Sequence, residues 1–350
     1  MFSLEIVRLI GYHREYIANL SETSYLCGKE KPKPSEPNQT MTRKANNNQL
    51  HQAKQSKSDE FYTQYSDIAR ELAYYEAYLA GKTIYCNADD PSTSQFVRYF
   101  LDHFERLHIN KLIASCYRPN GKGAYAIYTQ PSPPQSAIAT LLGDGDFRSE
   151  ECVELLKTAD VVITNPPFSL FREWISQLTS YQKQFLLIGN INAITYKEIF
   201  ALIQANQAWL GVHLGRGISG FIVPERYQLY GTEARIDEHG NRIVSTNNCL
   251  WLTNLECPTR QEELPLTKTY QGNEDNYPTY DNCAGINVDR TQDIPMDYPG
   301  LMGVPITFLH KYNPAQFEIV RFRKGDDGKD LRINGKSPYF RILIRHRQKC

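Results

Sequence analysis

Short apolar runs alternate with amphipathic stretches through the middle of this chain, and this rhythm restricts the possible folds more than any other feature. The apolar runs predict strands, and the stretches between them have the apolar spacing of helices. The predicted strands are 83–86, 112–116, 138–142, 161–164, 185–188 and 250–253. The predicted helices are 93–107, 149–158 and 195–205, with two more around 68–79 and 171–178. Such alternation predicts an α/β fold with a mostly parallel sheet, whose ligands bind at the carboxyl ends of its strands.

The composition excludes several classes of protein. Hydrophobic residues make up 41% of the chain and charged residues 22%, which is ordinary for a globular protein and excludes a wholly disordered chain or a coiled coil. No apolar run approaches the roughly 18 residues of a membrane span. The eight cysteines form no CxxC pair and no metal-ligand spacing, so we expect free thiols in a reducing cytosol and no metal, with a disulfide set or a zinc site as the alternative.

The charge is balanced overall but not along the chain. There are 39 basic and 39 acidic residues, yet residues 321–350 hold ten Lys or Arg against three Asp, a local charge of +7. This asymmetry predicts a polyanionic partner at one end of the protein. A solvated terminal hairpin is the alternative interpretation.

The first 57 residues have the composition of an extended arm. Residues 28–58 are polar, with three prolines and three consecutive asparagines, and hold too few apolar side chains to bury a core. Met41 opens a second possible start after Met1. We therefore predict a disordered or extended arm over 1–57, of which residues 1–40 are dispensable for activity.

The strongest chemical signal is Asn165-Pro166-Pro167-Phe168, directly after the predicted strand 161–164. Two prolines cannot continue a central strand, so they form a rigid turn at its carboxyl end. Carbonyl and amide oxygens there can accept hydrogen bonds beside the flat face of Phe168. This arrangement suits an exocyclic amino group on a planar heterocycle. An ordinary strand-to-helix turn, with Phe168 in the core, is the alternative.

At these residues the chain resembles a known family. Asn-Pro-Pro-aromatic after the fourth strand is the catalytic motif of amino methyltransferases that use S-adenosylmethionine. Residues 57–64 resemble the upstream cofactor motif of adenine-specific DNA methyltransferases. Residues 85–91 and 143–147 resemble the loops after the first and third strands. In this order, the four motifs resemble those of EcoRI-type adenine DNA methyltransferases.

The resemblance implies a class I S-adenosylmethionine-dependent methyltransferase, with a Rossmann-like, mostly parallel seven-stranded sheet. It implies a catalytic domain over 58–255 and a DNA-recognition region with a basic hairpin over 256–350. The resemblance also implies which residues contact the cofactor. Tyr62 and Thr63 would contact its methionine end, and Asp146 and Phe147 its adenine. Asn87, Asp89 and Asp90 would contact its ammonium group. The chain departs from the usual pattern because it lacks a Gly-rich loop after the first strand and an acid after the second.

The resemblance also implies that an adenine is flipped out of double-stranded DNA before methylation. Asn165 and Pro166 would accept the hydrogens of its amino group, while Pro167 stiffens the turn and Phe168 stacks on the base. Tyr196 or Tyr227 is the candidate for the opposite face. Basic residues in the C-terminal half would bind DNA; the candidates are Arg216, Arg226, Arg341, Arg345 and Arg347, with Arg235 as a further one.

Two other functions fit part of the pattern. Asn-Pro-Pro-Tyr also serves enzymes that methylate RNA or protein glutamine, and a catalytically silent DNA-binding protein could keep the fold. The lack of a GxGxxG motif after the first strand argues against a dinucleotide oxidoreductase. The resemblance implies a cytoplasmic protein of a bacterial or phage-infected cell, near the nucleoid, and we expect a monomer. A cognate restriction endonuclease, if present, would act on the same site without forming a stable complex.

Overall fold

The computed structural model describes residues 62–129, 137–214, 218–225, 229, 234–244, 248–323, 331–338 and 340–347. The described residues form seventeen strands and six α-helices. The strands are β1 (Tyr62–Thr63), β2 (Thr83–Cys86), β3 (Lys111–Cys116), β4 (Ala124–Thr129), β5 (Ala139–Thr140), β6 (Val161–Thr164), β7 (Gln184–Asn190), β8 (Trp209–Leu214), β9 (Phe221–Val223), β10 (Arg235–Ile236), β11 (Arg242–Val244), β12 (Cys249–Thr253), β13 (Thr279–Tyr280), β14 (Cys283–Asn287), β15 (Leu301–Pro305), β16 (Phe317–Arg323) and β17 (Arg341–His346). The helices are α1 (Tyr65–Leu72), α2 (Glu76–Leu79), α3 (Gln95–Asp102), α4 (Glu150–Thr158), α5 (Phe171–Ser180) and α6 (Lys197–Gln204).

The central sheet has the strand order β5-β4-β3-β2-β6-β7-β12-β8. Its middle strands β3, β2, β6 and β7 are all parallel. β12 runs antiparallel to both of its neighbours, β7 and β8. The predicted α/β fold with a mostly parallel sheet is therefore confirmed, and each predicted strand corresponds to a strand of this sheet.

The predicted number of seven strands was wrong, because the sheet has eight. The additional strand is β4, which inserts between β3 and β5 and pairs antiparallel with both. Its side chains alternate between buried and half-buried positions, since Ala124, Ala126 and Tyr128 face one side of the sheet and Tyr125 and Ile127 the other. Such alternation is the side-chain pattern of a strand, and all six residues of β4 pair with β3.

Serine caps begin two of the predicted helices. Ser94 Oγ accepts from the backbone N–H groups of Phe96 and Val97 at the start of α3, and Ser149 caps α4 in the same way. α3 is shorter than the predicted 93–107, since it ends at Asp102. The following residues form turns, and His108 has a φ of 51°.

Apolar side chains on the two faces of the central sheet form two clusters. In β6, Val161 and Ile163 face the cluster beneath α1 and α3, whereas Val162 faces the cluster beneath α4, α5 and α6. This alternation buries the strand on both sides and explains its continuous apolar sequence.

A second sheet, with order β13-β14-β15-β17-β16, shares the core on the α6 side. The rings of Phe200 and Phe322 stack with centroids 5.0 Å apart, and Gln204 Nε2 donates to the carbonyl of Val320 over 2.8 Å. β16 and β17 pair antiparallel, from Phe317 opposite His346 to Arg323 opposite Arg341. The basic hairpin that the resemblance implied falls in this part of the chain, and its role in DNA recognition stays a prediction.

The described residues all lie within one compact unit spanning 49–350. The predicted arm over 1–57 lies outside the described residues, and the boundary at 255 stays a prediction. In the described segments, no helix is long and apolar enough to cross a membrane, and no group of His, Cys, Asp or Glu could hold a metal ion. The cysteines of the described residues are free thiols.

Candidate active site

The Asn165–Phe168 segment leaves the carboxyl end of β6, in the middle of the central sheet. Pro166 is buried, and Asn165, Pro167 and Phe168 are half-buried. After Pro167 the chain turns into a short 3-10 helix, Phe168–Leu170, and then into α5. The polar corner that the sequence predicted therefore lies at the edge where α/β sheets bind their ligands.

The loop after β2 reaches this corner directly. β2 and β6 are parallel neighbours, so their carboxyl ends lie at the same edge. Asp89 is only 9% exposed, and its carboxylate accepts from the Thr164 hydroxyl over 2.5 Å and from the Ser94 hydroxyl over 2.6 Å. Burial raises the pKa of Asp89 to about 6, although these two hydrogen bonds lower it.

Asp90, the next residue, turns toward the end of β3. Its carboxylate accepts from Arg118 Nη2 over 3.0 Å and from the hydroxyl of Ser92. Burial acts to raise the pKa of Asp90, but hydrogen bonds from Ser92 and Arg118 outweigh it and bring the pKa to about 2. Asp90 thus provides an ionised carboxylate beside Cys116, at the strand end where the sequence itself has no acid.

The acidic bend at 143–147 packs against the same strand end. Gly145 has a φ of 85°, and a Cβ at this position would collide with the carbonyl of Cys116, so the bend requires glycine here. Arg148 forms a two-pronged salt bridge with Asp146, and this hydrogen bonding lowers the pKa of Asp146. Asp146 is therefore ionised and its carboxylate held in place.

Trp174, on α5, connects the bend to the loop after β2. Its indole stacks on the ring of Phe147 with centroids 3.7 Å apart, and its Nε1 donates to Asn87 Oδ1 over 3.1 Å. Gln177 adds a bond from Nε2 to the carbonyl of Phe147 over 3.0 Å. In the sequence, Trp174 is only an apolar position of the helix predicted around 171–178. A buried Trp needs a partner for its N–H, and this requirement is the only signal in the sequence for a polar contact of Trp174.

The upstream motif reaches the corner through a small sheet of order β1-β9-β11-β10. Thr63 pairs with Phe221 of β9, and the ring of Phe221 meets the ring of Phe168 edge-on at 6.3 Å. Tyr62 is exposed, whereas Thr63 is 4% exposed. Within the described part of the chain, the Thr63 hydroxyl is buried and has no hydrogen-bond partner.

The predicted DNA-binding residues have different surroundings. Arg216, Arg226 and Tyr227 lie outside the described residues. Arg345 and Arg347 are exposed on and after β17, and Arg235 is exposed on β10. Arg341 is only 8% exposed, and its Nε donates to Asn287 Oδ1 over 2.9 Å, a geometry that favours an internal role over contact with phosphates. Tyr196 is half-buried beyond β7, with the guanidinium of Arg172 over its ring.

The residues at this edge fit S-adenosylmethionine. Asp146 offers an ionised acceptor next to the aromatic side chain of Phe147, which suits a purine with an exocyclic amine. Among the residues that the structure describes, the buried Thr63 hydroxyl has no hydrogen-bond partner, as expected of a ligand contact. Together with the Asn-Pro-Pro-Phe corner, these features define an α/β methyltransferase that acts on an amino group.

Comparisons with known proteins place the chain more narrowly. A family model described as adenine-specific methyltransferase EcoRI matches residues 49–347. The chain is 58% identical over 323 residues to the type II methyltransferase M.EcoRI of Escherichia coli, an alignment that covers 88% of this chain and 99% of the relative. It is 35% identical over 317 residues to the type II methyltransferase M.MgeORF184P of Mycoplasma genitalium, covering 85% and 99%. It is 34% identical over 317 residues to M.MpnI of Mycoplasma pneumoniae, covering 85% and 98%. No solved structure matches the chain.

The chain therefore belongs to the EcoRI family of adenine-specific methyltransferases. It is a site-specific DNA adenine methyltransferase, as the resemblance in its motifs implied.

Proposed function

We propose that this enzyme transfers a methyl group from S-adenosylmethionine to the exocyclic amine of an adenine that is flipped out of duplex DNA. The observation that carries the proposal is the direct connection between the three loops at the sheet edge. Asp89 bonds to Thr164, next to the Asn165 corner, and Asn87 connects through Trp174 to Phe147. The Asn165–Phe168 corner would bind the DNA base, and the bend at 143–147 would bind the purine of the cofactor. Their direct connection therefore suits a reaction between two purine-containing molecules.

The strand order supports a class I methyltransferase fold with one inserted strand. Without β4, the order becomes β5-β3-β2-β6-β7-β12-β8, in which β12 alone runs antiparallel. We take β4 as an insertion into the seven-stranded pattern that the family resemblance implies. β4 lengthens the sheet on the side of the acidic bend and leaves the β2–β6 edge intact.

The residues of the corner act on the amino group of the flipped base. The Asn165 side-chain oxygen and the Pro166 carbonyl accept its two hydrogens, which stabilises positive charge as it develops on the nitrogen. Phe168 stacks on the base, and Phe221 supports the edge of that ring. Flipping costs a few kcal/mol, which these contacts offset.

The cofactor lies between the bend and the upstream motif in this proposal. S-adenosylmethionine, when bound, supplies an activated methyl group on a positively charged sulfur. Asp146 and Phe147 hold its adenine, and Tyr62 and Thr63 line its methionine end. Asn87, Asp89 and Asp90 shape the loop beneath it, since their side chains bond to Trp174, Thr164 and Arg118.

Replacement of Asn165 tests the catalytic role. We expect Asn165→Ala to bind S-adenosylmethionine and DNA normally but to lose turnover by about 10²–10³, the worth of one oriented hydrogen-bonding group in a transition state. Asn110→Ala is the matched control, because Asn110 is exposed and precedes β3 at the opposite edge of the sheet. Single-turnover transfer of a labelled methyl group measures both. A near-normal rate for Asn165→Ala would refute the role.

DNA recognition is assigned to the C-terminal sheet and its exposed basic residues. Arg345 and Arg347 neutralise phosphates, so their joint replacement by Gln is expected to reduce the slope of log affinity against log salt by about 2. Lys157→Gln is the control, because Lys157 is exposed on α4 and pairs with Glu154. An unchanged slope for the Arg345 and Arg347 double variant would exclude these contacts.

The same labelled-cofactor assay, run with DNA, RNA and protein substrates, decides between DNA and the other acceptors. Sequencing of DNA from cells that express the enzyme identifies the methylated adenine and its flanking motif.

The family relatives are type II methyltransferases. We infer a place in a restriction–modification system or as an orphan modification enzyme, acting as a monomer. Light scattering of the purified protein tests the monomer.

A further inference from the structure

Asp89 joins two parts of the protein that are far apart in sequence. One carboxylate oxygen accepts from Thr164, the last residue of β6, and the other accepts from Ser94, the cap of α3. Ser94 in turn accepts from the first backbone N–H groups of that helix. The backbone N–H of Asp89 donates to the carbonyl of Ser115 at the end of β3. Asp89 is thus fixed from three elements at once.

This geometry differs from that of a cofactor contact. Asp89 is only 9% exposed, and both of its oxygens already accept hydrogen bonds from protein hydroxyls. The carboxylate of Asp146 also accepts from a protein group, Arg148, but its side chain is 30% exposed and stays open to a ligand. Thr164 is fully buried, so the bond between them is shielded from water. A shielded bond between ordered groups holds position more firmly than an exposed one, because water cannot compete for either partner.

We propose that Asp89 is a positioning residue, which holds Thr164 and thereby sets the Asn165–Phe168 corner in register with the loop after β2. The inference rests on the proposed role of Asn165 and Pro166 in accepting the hydrogens of the amino group. Thr164 is bonded directly to Asn165, and the ring of Pro166 fixes its own φ near −65°. A displacement of Thr164 is therefore passed to the Pro166 carbonyl with little loss.

The chemistry of the pair makes the effect testable one atom at a time. Asp89→Asn replaces one carboxylate oxygen by an NH₂ group, which cannot accept from a hydroxyl. Thr164→Val removes the hydroxyl and keeps the shape, whereas Thr164→Ser keeps the hydroxyl. Thr158→Val is a matched control, because Thr158 ends α4 before the opposite end of β6 and bonds only locally, to the carbonyl of Leu155.

The experiment measures single-turnover methyl transfer, the Kd for S-adenosylmethionine by calorimetry, and base flipping by the fluorescence of 2-aminopurine at the target position. We expect Asp89→Asn and Thr164→Val each to slow transfer by about 10- to 100-fold, the cost of a displacement near 1 Å at a reacting centre. The double variant is expected to be no slower than the slower single one, since both remove the same bond. Thr164→Ser should restore most of the rate, and cofactor Kd should stay within about threefold.

Three results would overturn the proposal. The first is a raised cofactor Kd for Asp89→Asn with a normal Kd for Thr164→Val, which would make Asp89 a cofactor contact. The second is additive losses in the double variant. The third is a normal rate for Thr164→Val, which decides the matter even where Asp89→Asn does not fold. Asn165→Ala is run beside them. A normal rate for that variant refutes the proposed role of the corner, whereas an inactive Asn165→Ala with normal Asp89 and Thr164 variants refutes this inference alone.

Discussion

Thr63→Val is expected to stabilise the free enzyme while weakening its binding of S-adenosylmethionine. In the described part of the molecule the Thr63 hydroxyl is buried without a partner, so its removal relieves a desolvation penalty of about 1–3 kcal/mol. Valine fills the same space with a methyl group. In the proposed role, the hydroxyl gains a partner when the cofactor binds, so the loss of one hydrogen bond of about 1 kcal/mol is expected to raise Kd several-fold.

Thr253→Val provides the matched control with the opposite sign. Thr253 is fully buried, and its hydroxyl donates to the carbonyl of Phe185 over 2.7 Å and accepts from the N–H of Leu255 over 3.0 Å. Its replacement leaves both partners without this hydrogen bond. The free energy of unfolding is expected to fall by about 1–3 kcal/mol, without effect on cofactor Kd. Urea unfolding without ligand and calorimetric titration measure the two quantities. A Thr63→Val enzyme that is destabilised, yet binds the cofactor normally, would refute the assignment.

Two buried carboxylates give further predictions. Glu71 accepts from the backbone N–H groups of Val212 and His213, so Glu71→Gln leaves a buried donor unpaired and should cost about 2 kcal/mol in urea unfolding. Glu76→Gln, in an exposed pair with Arg106, should cost less than about 1 kcal/mol; equal losses would contradict the reasoning. Burial raises the pKa of Asp89 to about 6 in the fold, so its contribution to stability is present at low pH and lost as pH rises through that value. Relative to Asp89→Asn, the wild-type free energy of unfolding should fall by about 1 kcal/mol between about pH 5 and about pH 7, and a constant difference would exclude the shift.

The central sheet could be predicted because each of its signals is local. β6 is apolar throughout and is followed by two prolines, and α5 shows apolar residues at helical spacing. Neither feature depends on distant residues. The alternating burial of β4 is typical of a strand, but its place within the sheet has no local signal, because it depends on pairing with β3. The C-terminal sheet gave weaker signals because several of its strands are short and their partners lie far apart along the chain.

The candidate site was predictable in its residue types and not in their connections. Asn87, Asp89 and Asp146 were identified from motifs, whereas their partners Trp174, Thr164 and Arg148 were not. A motif marks polar residues that a function needs, but the residues that hold them come from other elements and carry no pattern of their own. Arg341 differs in the opposite direction. Its basic sequence context suggested contact with DNA, whereas the fold buries its side chain against Asn287.

The loop after β2 explains how this enzyme can lack the Gly-rich turn that is usual in its class. Glycines allow a backbone to approach a cofactor closely, because they lack a Cβ and adopt conformations that other residues avoid. Here the side chains of Asn87, Asp89 and Asp90 are bonded to α5, β6 and the segment after β3, so the loop is shaped by the protein before any ligand binds. A loop fixed in this way cannot close around the cofactor. We propose that recognition of the cofactor depends instead on the elements on either side of the loop, β1 with Thr63 and the bend with Asp146. These are the places where the described structure leaves a buried hydroxyl unpaired and a carboxylate ionised.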